Sequence, residues 1–192
     1  MDTNLMEIDQ PVIVKGQLSD LNNLLEIYLH AKIDLERIGI YQWVESYPTK
    51  AIIEDDLKKG VLYLVKNKAE IIGAINISEE QESQYVDVNW KFDDSKVLVI
   101  HRLVVSPKHQ RNGYAQMLMD FAENFAVKNG YTSIRLDAYS QNARVLKFYK
   151  KRQYFLRGAV IFPNREHPFY CMEKKVKNVC NKKPSNTPPP KQ

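Results

Sequence analysis

The stretch Val104-Val105-Ser106-Pro107-Lys108-His109-Gln110-Arg111-Asn112-Gly113-Tyr114-Ala115 carries residue types suited to holding a pyrophosphate. An apolar strand runs into a loop, and the loop opens a helix with a glycine and a small residue two positions apart. Free N–H groups at a helix start point outward, together with the positive end of the helix dipole. Gly113 and Ala115 let phosphates approach the backbone, and Lys108 and Arg111 can supply counter-charge. No Gly-Lys-Ser/Thr sequence is present, so this is not a triphosphate-binding loop, and the three-glycine dinucleotide fingerprint is missing as well. The plainer alternative is a helix start with a convenient glycine.

Two further positions carry titratable side chains. Tyr149 stands seven residues after Asn142, two helical turns on, so both face the same side. A phenol stays protonated at neutral pH and can still donate. His101 falls in an apolar run where strict alternation places it with Leu103 and Val105, while Arg102 and Val104 take the other face. An imidazole there can relay a proton through water. Asp87 and Glu36 are rival bases, and a water chain with no dedicated base is a further option. A buried aromatic beside Leu146 and Phe148, and a structural strand histidine, are the unreactive alternatives.

The elements that must position these groups are legible in order. Pro11 to Lys15 reads as a short strand. Ser19-Asp20 caps a helix to about Arg37, with Leu21, Leu24, Leu25, Tyr28 and Leu29 on one face. After Gly39 comes an irregular, aromatic-rich segment to Pro48, and Thr49 caps a second helix to Lys59. Strands follow over Val61 to Lys66, Glu70 to Ile77 and Val97 to Val105. A helix then runs from Gly113 to about Lys128, a strand from Ser133 to Ala138 and a helix from Asn142 to Lys151. The chain closes with a hairpin around Tyr154 to Val160 and Phe169 to Lys175. This order predicts a mixed α/β fold, with helices on the faces of a sheet. Residues 1–176 read as a single domain and residues 177–192 as a disordered Lys/Pro-rich tail.

Charge is unevenly placed along the 192 residues. The net charge of +5 belongs to the tail, where six lysines and no acid follow Glu173. Residues 1–99 carry a net −8 and residues 100–165 a net +9. One half suited to an anionic ligand and one suited to a cationic one is the reading preferred to nucleic-acid binding. No apolar run is long enough to span a bilayer, and the acidic, polar start is unlike a leader. Cys171 and Cys180 form no metal or redox spacing, which makes a reducing cytoplasm the expected compartment.

Gln110-Arg111-Asn112-Gly113-Tyr114-Ala115 resembles the signature of the GCN5-related N-acetyltransferases (GNAT), Gln or Arg, two residues, Gly, one residue, then Gly or Ala. The resemblance continues through Asp137, Asn142 and Tyr149, and covers most of Val97 to Lys175. It departs at Val145, where the family usually has Ala, and at Gln153-Tyr154, where it has Gly-Phe. It implies a central splayed β-sheet of about seven strands flanked by about four helices, with acetyl-CoA as cofactor. Leu103, Val104 and Val105 would then hold the pantetheine arm and acetyl carbonyl. The amides of Arg111 to Ala115 would hold the pyrophosphate, Asn142 would bond the cofactor, and Tyr149 would be the proton donor to sulfur. His101-Arg102-Leu103-Val104-Val105 also resembles the strand of serotonin-type N-acetyltransferases, in which a histidine is implicated in deprotonation.

Acetyl transfer to a primary amine, of a small molecule, is the activity that these resemblances imply. The candidate acceptor pocket is drawn from Tyr41, Trp43 and Trp90, by cation–π contact, with Ile161 to Pro168 (Arg165, His167) as the opposite wall. Core plugs are the alternative role for the three aromatics. The competing functions are a protein N-terminal or lysine acetyltransferase and a non-catalytic coenzyme A-binding module. No metal, nucleic-acid or membrane partner is expected, and the chain is read as a monomer or homodimer.

Overall fold

The computed structural model describes residues 10–92 and 96–177. The Lys/Pro-rich tail beyond Lys177 and Cys180 lie outside the described residues. The strands are β1 (Val12–Lys15), β2 (Leu62–Asn67), β3 (Glu70–Ser78), β4 (Val97–Val105), β5 (Ser133–Tyr139), β6 (Phe155–Val160) and β7 (Phe169–Lys175). The helices are α1 (Leu21–Glu36), α2 (Lys50–Lys59), α3 (Tyr114–Lys128) and α4 (Ala143–Lys151). The seven strands form one sheet in the order β1-β2-β3-β4-β5-β7-β6, in agreement with the expected mixed architecture. Every neighbouring pair is antiparallel except β4 and β5.

Helices α3 and α4 cover one face. Leu118, Met119, Ala122 and Ala126 of α3 and Tyr149 of α4 pack there with Ile72, Leu98, Ile100 and Leu136. Helices α1 and α2 cover the other, where Leu24, Ile53 and Leu57 meet Leu62, Leu64, Ala74 and Val104. The buried stripe of α1 is Leu24, Ile27, Tyr28 and Ala31, one step round from the expected one, and Leu29 is exposed. Tyr28, common to both stripes, points inward and its hydroxyl donates to the carbonyl of Arg102 at 2.9 Å. Thr49 caps α2 as expected, its Oγ1 accepting from the Ile52 N–H at 3.3 Å.

Two irregularities of β4 build the site. The first is a bulge: Ala74 faces Val104 and Asn76 faces His101, so β4 holds one residue more than β3 over this stretch. Arg102 takes up the excess with a left-handed φ of 52°. Gly73 lets the strands close beside it, since a Cβ there would lie 2.6 Å from the Val104 carbonyl oxygen. The bulge corrects the expected alternation. Leu98 and Ile100 share a cluster with Leu103 and Val105, so His101 and Leu103 lie on opposite faces. The second irregularity is a splay. Pairing of β4 with β5 runs from Val97↔Ser133 to Ile100↔Leu136 and stops, although β4 continues to Val105 and β5 to Tyr139.

Candidate active site

Beyond Ile100 and Leu136 the diverging strands open a cavity of about 670 Å³, a size ordinary for small-molecule sites. Leu103, Val104 and Val105 form one wall, and their backbone groups on the β5 side have no sheet partner. Gln110, Arg111, Gly113, Tyr114 and Ala115 line its mouth. Arg111 and Gly113 both have left-handed backbones, φ 67° and 86°, which turn the chain into α3. A Cβ built on Gly113 meets only the Gln116 side-chain oxygen, at 3.8 Å, so any larger residue would intrude into open space in front of the helix start. Gln110 is fixed from both ends: its Nε2 donates to the Val105 carbonyl (3.4 Å) and its Oε1 accepts from Arg144 (3.2 Å). Arg144 thereby joins Arg111 at the cradle, a second cation that the sequence pattern did not single out.

Tyr149 reaches the cavity from α4 with 5% of its surface exposed. Burial, with the charge of Asp137 nearby, pushes its phenol well above the ordinary range, so it carries its proton at any physiological pH. Asn142 also lines the cavity, but its amide is already engaged. Its Oδ1 caps α4 by accepting from Val145 N–H (3.2 Å), and its Nδ2 donates to Gln42 Oε1 (2.8 Å).

His101 is buried on the wall of the same cavity. Its Nε2 lies 2.8 Å from the Glu80 carbonyl oxygen and its Nδ1 3.7 Å from Glu82 Oε1. Burial pushes its pKa down to about 4, so it is neutral at pH 7. Asp137, on β5, accepts from the Tyr85 hydroxyl at 2.6 Å, and burial lifts its pKa to about 6. Arg102, on the cavity wall, reaches toward α2. It forms two parallel bonds to Asp56 and a third to the Tyr47 hydroxyl at 2.9 Å.

Of the aromatics expected at the acceptor pocket, only Trp43 lines the cavity, packed edge-on against Tyr28. Tyr41 is 56% exposed and outside the wall, although its neighbours Ile40 and Gln42 line it. Trp90 is a core plug: its indole N–H donates to the Tyr85 carbonyl at 3.1 Å and its ring lies 4.4 Å from the Arg135 guanidinium. Asn112 is exposed and does not line the cavity. The rival bases are elsewhere, Glu36 paired with Lys32 on α1 and Asp87 exposed. Phe162 to Arg165 do form the opposite wall, whereas His167 packs on Tyr139 outside it. Arg165 Nε donates to the Gln42 carbonyl at 3.0 Å, clasping that wall to the segment before α2.

Residues 22–154 match the acetyltransferase (GNAT) family. A comparison with curated proteins gives no match. Solved structures with the same fold include a Staphylococcus aureus Mu50 protein described as an acetyltransferase, 25% identical, covering 86% of this chain and 99% of that one, TM-score 0.68. PaiA N-acetyltransferase from Thermoplasma acidophilum, solved in complex with coenzyme A, is 18% identical over 86% of this chain and 99% of its own, TM-score 0.65. A GNAT-family acetyltransferase from Streptococcus agalactiae 2603 is 18% identical over 88% and 96%, TM-score 0.73.

Proposed function

We propose, from the premise that the chain belongs to the acetyltransferase (GNAT) family, that it moves the acetyl group of acetyl-CoA directly to a primary amine of a small molecule. The observation that carries this reading is the meeting, in one cavity, of an unpaired strand edge, a helix-start cradle and a buried phenol. The residues fit the donor. Beyond Ile100 the gap side of β4 has no strand partner among the described residues, which leaves backbone groups there to bond an amide-containing arm, the Val105 carbonyl being shared with Gln110, and the α3 start with Arg111 and Arg144 suits a pyrophosphate. Bound there, acetyl-CoA supplies a thioester carbon open to attack by a neutral amine.

Tyr149 holds a proton that it can give to the departing sulfur. Asn142 shapes the site by capping α4 and anchoring Gln42. His101, neutral and on the cavity wall, offers an acceptor nitrogen to the amine. Trp43 supplies an apolar wall.

Two features support a small cationic acceptor. Glu82 and Asp137 line the cavity away from the arginine-bearing cradle, and the charge of Glu82 adds to the burial that lifts Asp137. Arg102, also on the wall, is paired with Asp56, which offsets part of its charge. The Arg165–Gln42 clasp joins two walls of the cavity, which disfavours a groove for a polypeptide.

Thermal melting with coenzyme A, ATP and NAD, followed by a thiol-release screen over polyamines, aminoglycosides, amino acids and peptides, tests the reading. A melting shift with coenzyme A alone and turnover with a small amine are expected. No shift at saturating coenzyme A would remove the donor, and turnover restricted to peptides would move the acceptor to the protein class.

A further inference from the structure

We infer that Glu82 takes the proton from the acceptor's ammonium group while Nδ1 of His101 accepts a second N–H of the same nitrogen; this rests on the acetyl-transfer reading above.

The argument begins with the tautomer. A carbonyl oxygen only accepts, so the 2.8 Å contact with Glu80 requires the proton of neutral His101 on Nε2. Nδ1 then presents a lone pair. Glu82 Oε1, 3.7 Å away, is also an acceptor and stands too far for a direct hydrogen bond. Both atoms belong to residues on the cavity wall. Two acceptors at this spacing, with no proton between them, converge on a donor that has at least two hydrogens. A primary ammonium has three, whereas an alcohol has one, so the pair also favours an amine over a hydroxyl acceptor.

The surroundings decide which of the two receives the proton. Glu80 lies on Glu82's own loop, His101 and Arg102 face it from β4, Asp137 from β5, Tyr47 from the segment before α2, and Tyr85 from the turn that follows. Burial, helped by Glu80 and opposed by Arg102, holds the Glu82 carboxyl above its usual range, while the buried imidazole falls to about 4. The usual order is inverted, and the carboxylate is the stronger base.

The protons balance as follows. The ammonium N–H bond breaks and its proton passes to a Glu82 oxygen, leaving the nitrogen lone pair free. That pair forms the C–N bond as the C–S bond breaks, and Tyr149 gives its hydroxyl proton to sulfur. The extra proton on the new amide nitrogen returns to Tyr149 through solvent, and Glu82 releases its own to water.

The test is kcat/KM of wild type and Glu82→Gln between pH 7 and 9.5, using the best primary amine from the thiol-release screen. At pH 7 the variant is expected to lose roughly 10²–10³-fold. The deficit should shrink as pH rises toward the amine's own pKa, because bulk solvent then supplies neutral amine. Coenzyme A affinity by calorimetry and the melting temperature should match wild type. A loss below about threefold at pH 7, or a deficit equal at both ends of the range, would overturn the assignment. If Glu82→Gln is unstable, Glu82→Ala with added formate takes its place: recovery proportional to formate supports the carboxylate as base, and absence of recovery counts against it. Wild type releasing no thiol with any amine would sink the acetyl-transfer reading itself, a result distinct from either outcome for Glu82.

Discussion

Arg102 and Asp56 form a two-toothed ion pair between the bulge of β4 and helix α2, with Nε–Oδ2 at 2.8 Å and Nη2–Oδ1 at 2.7 Å. Their side chains are 9% and 5% exposed, so neither charge has water as a substitute partner. The left-handed backbone at Arg102 leaves Leu103 facing the α3 side, and the pair pins that backbone in place.

Asp56→Ala is therefore expected to destabilise the fold by about 3–5 kcal/mol, since it leaves a buried guanidinium without its carboxylate. For a chain of this length the melting temperature should fall by roughly 10 °C. Calorimetry checks the first effect. A loss of coenzyme A affinity in the variant at low temperature, while it is still folded, checks the link to the bulge.

Gly113→Val should separate binding from folding. The φ of 86° strains any β-branched residue, and the added side chain enters the space before the α3 amides. Stability should drop by about 1–2 kcal/mol, whereas coenzyme A affinity should fall at least ~10-fold. Titration calorimetry beside a denaturant melt measures both; unchanged affinity would take the cradle out of the donor site.

Tyr149→Phe keeps the ring in its apolar setting and removes the hydroxyl. Turnover should fall by roughly 10²-fold, with coenzyme A affinity unaltered. Steady-state rates beside calorimetry decide it, and unchanged turnover would remove the acid role.

Stability against pH carries two opposed contributions. His101 has a folded pKa of about 4, below its unfolded value of 6.5, so its contribution is complete above pH 6.5 and lost as pH falls toward 4. Asp137 has a folded pKa of about 6 against 3.8, so the folded state binds its proton more tightly, a contribution complete below 3.8 and lost as pH rises through 6. Relative to wild type, His101→Gln should gain roughly 3 kcal/mol between pH 7 and pH 3.5, and Asp137→Asn should lose stability over the same interval. Urea melts at the two pH values read both.

The frame and the start of α3 were legible because they rest on local chemistry. β4 and β7 have the bounds that their apolar runs suggest, and Gly113 marks the start of α3 by type alone. The face of His101 was misread because alternation assumes an unbroken ladder, and the extra residue opposite Ala74–Asn76 depends on β3, a distant segment. Arg102, next to His101 in a strand whose other residues are apolar, was the visible signal of that break. Glu82 lay in a run of acids and glutamine that reads as a plain polar loop, and only the fold brings it to His101. Trp90 and Tyr41 were judged by residue type, which says nothing of the direction in which an irregular segment turns.

The short β4–β5 pairing gives the sheet two leaves, β1 to β4 and β5 to β7, stitched together at one end by four residue pairs. Peptide groups from His101 to Val105 that face the gap exchange their hydrogens with solvent unless something else occupies them. A donor that bonds these groups completes the sheet with a molecule instead of a strand. Amide protection along this stretch would then rise on binding while that of β1 and β6 stays put, and the two leaves would lose freedom to hinge about the Ile100–Leu136 end.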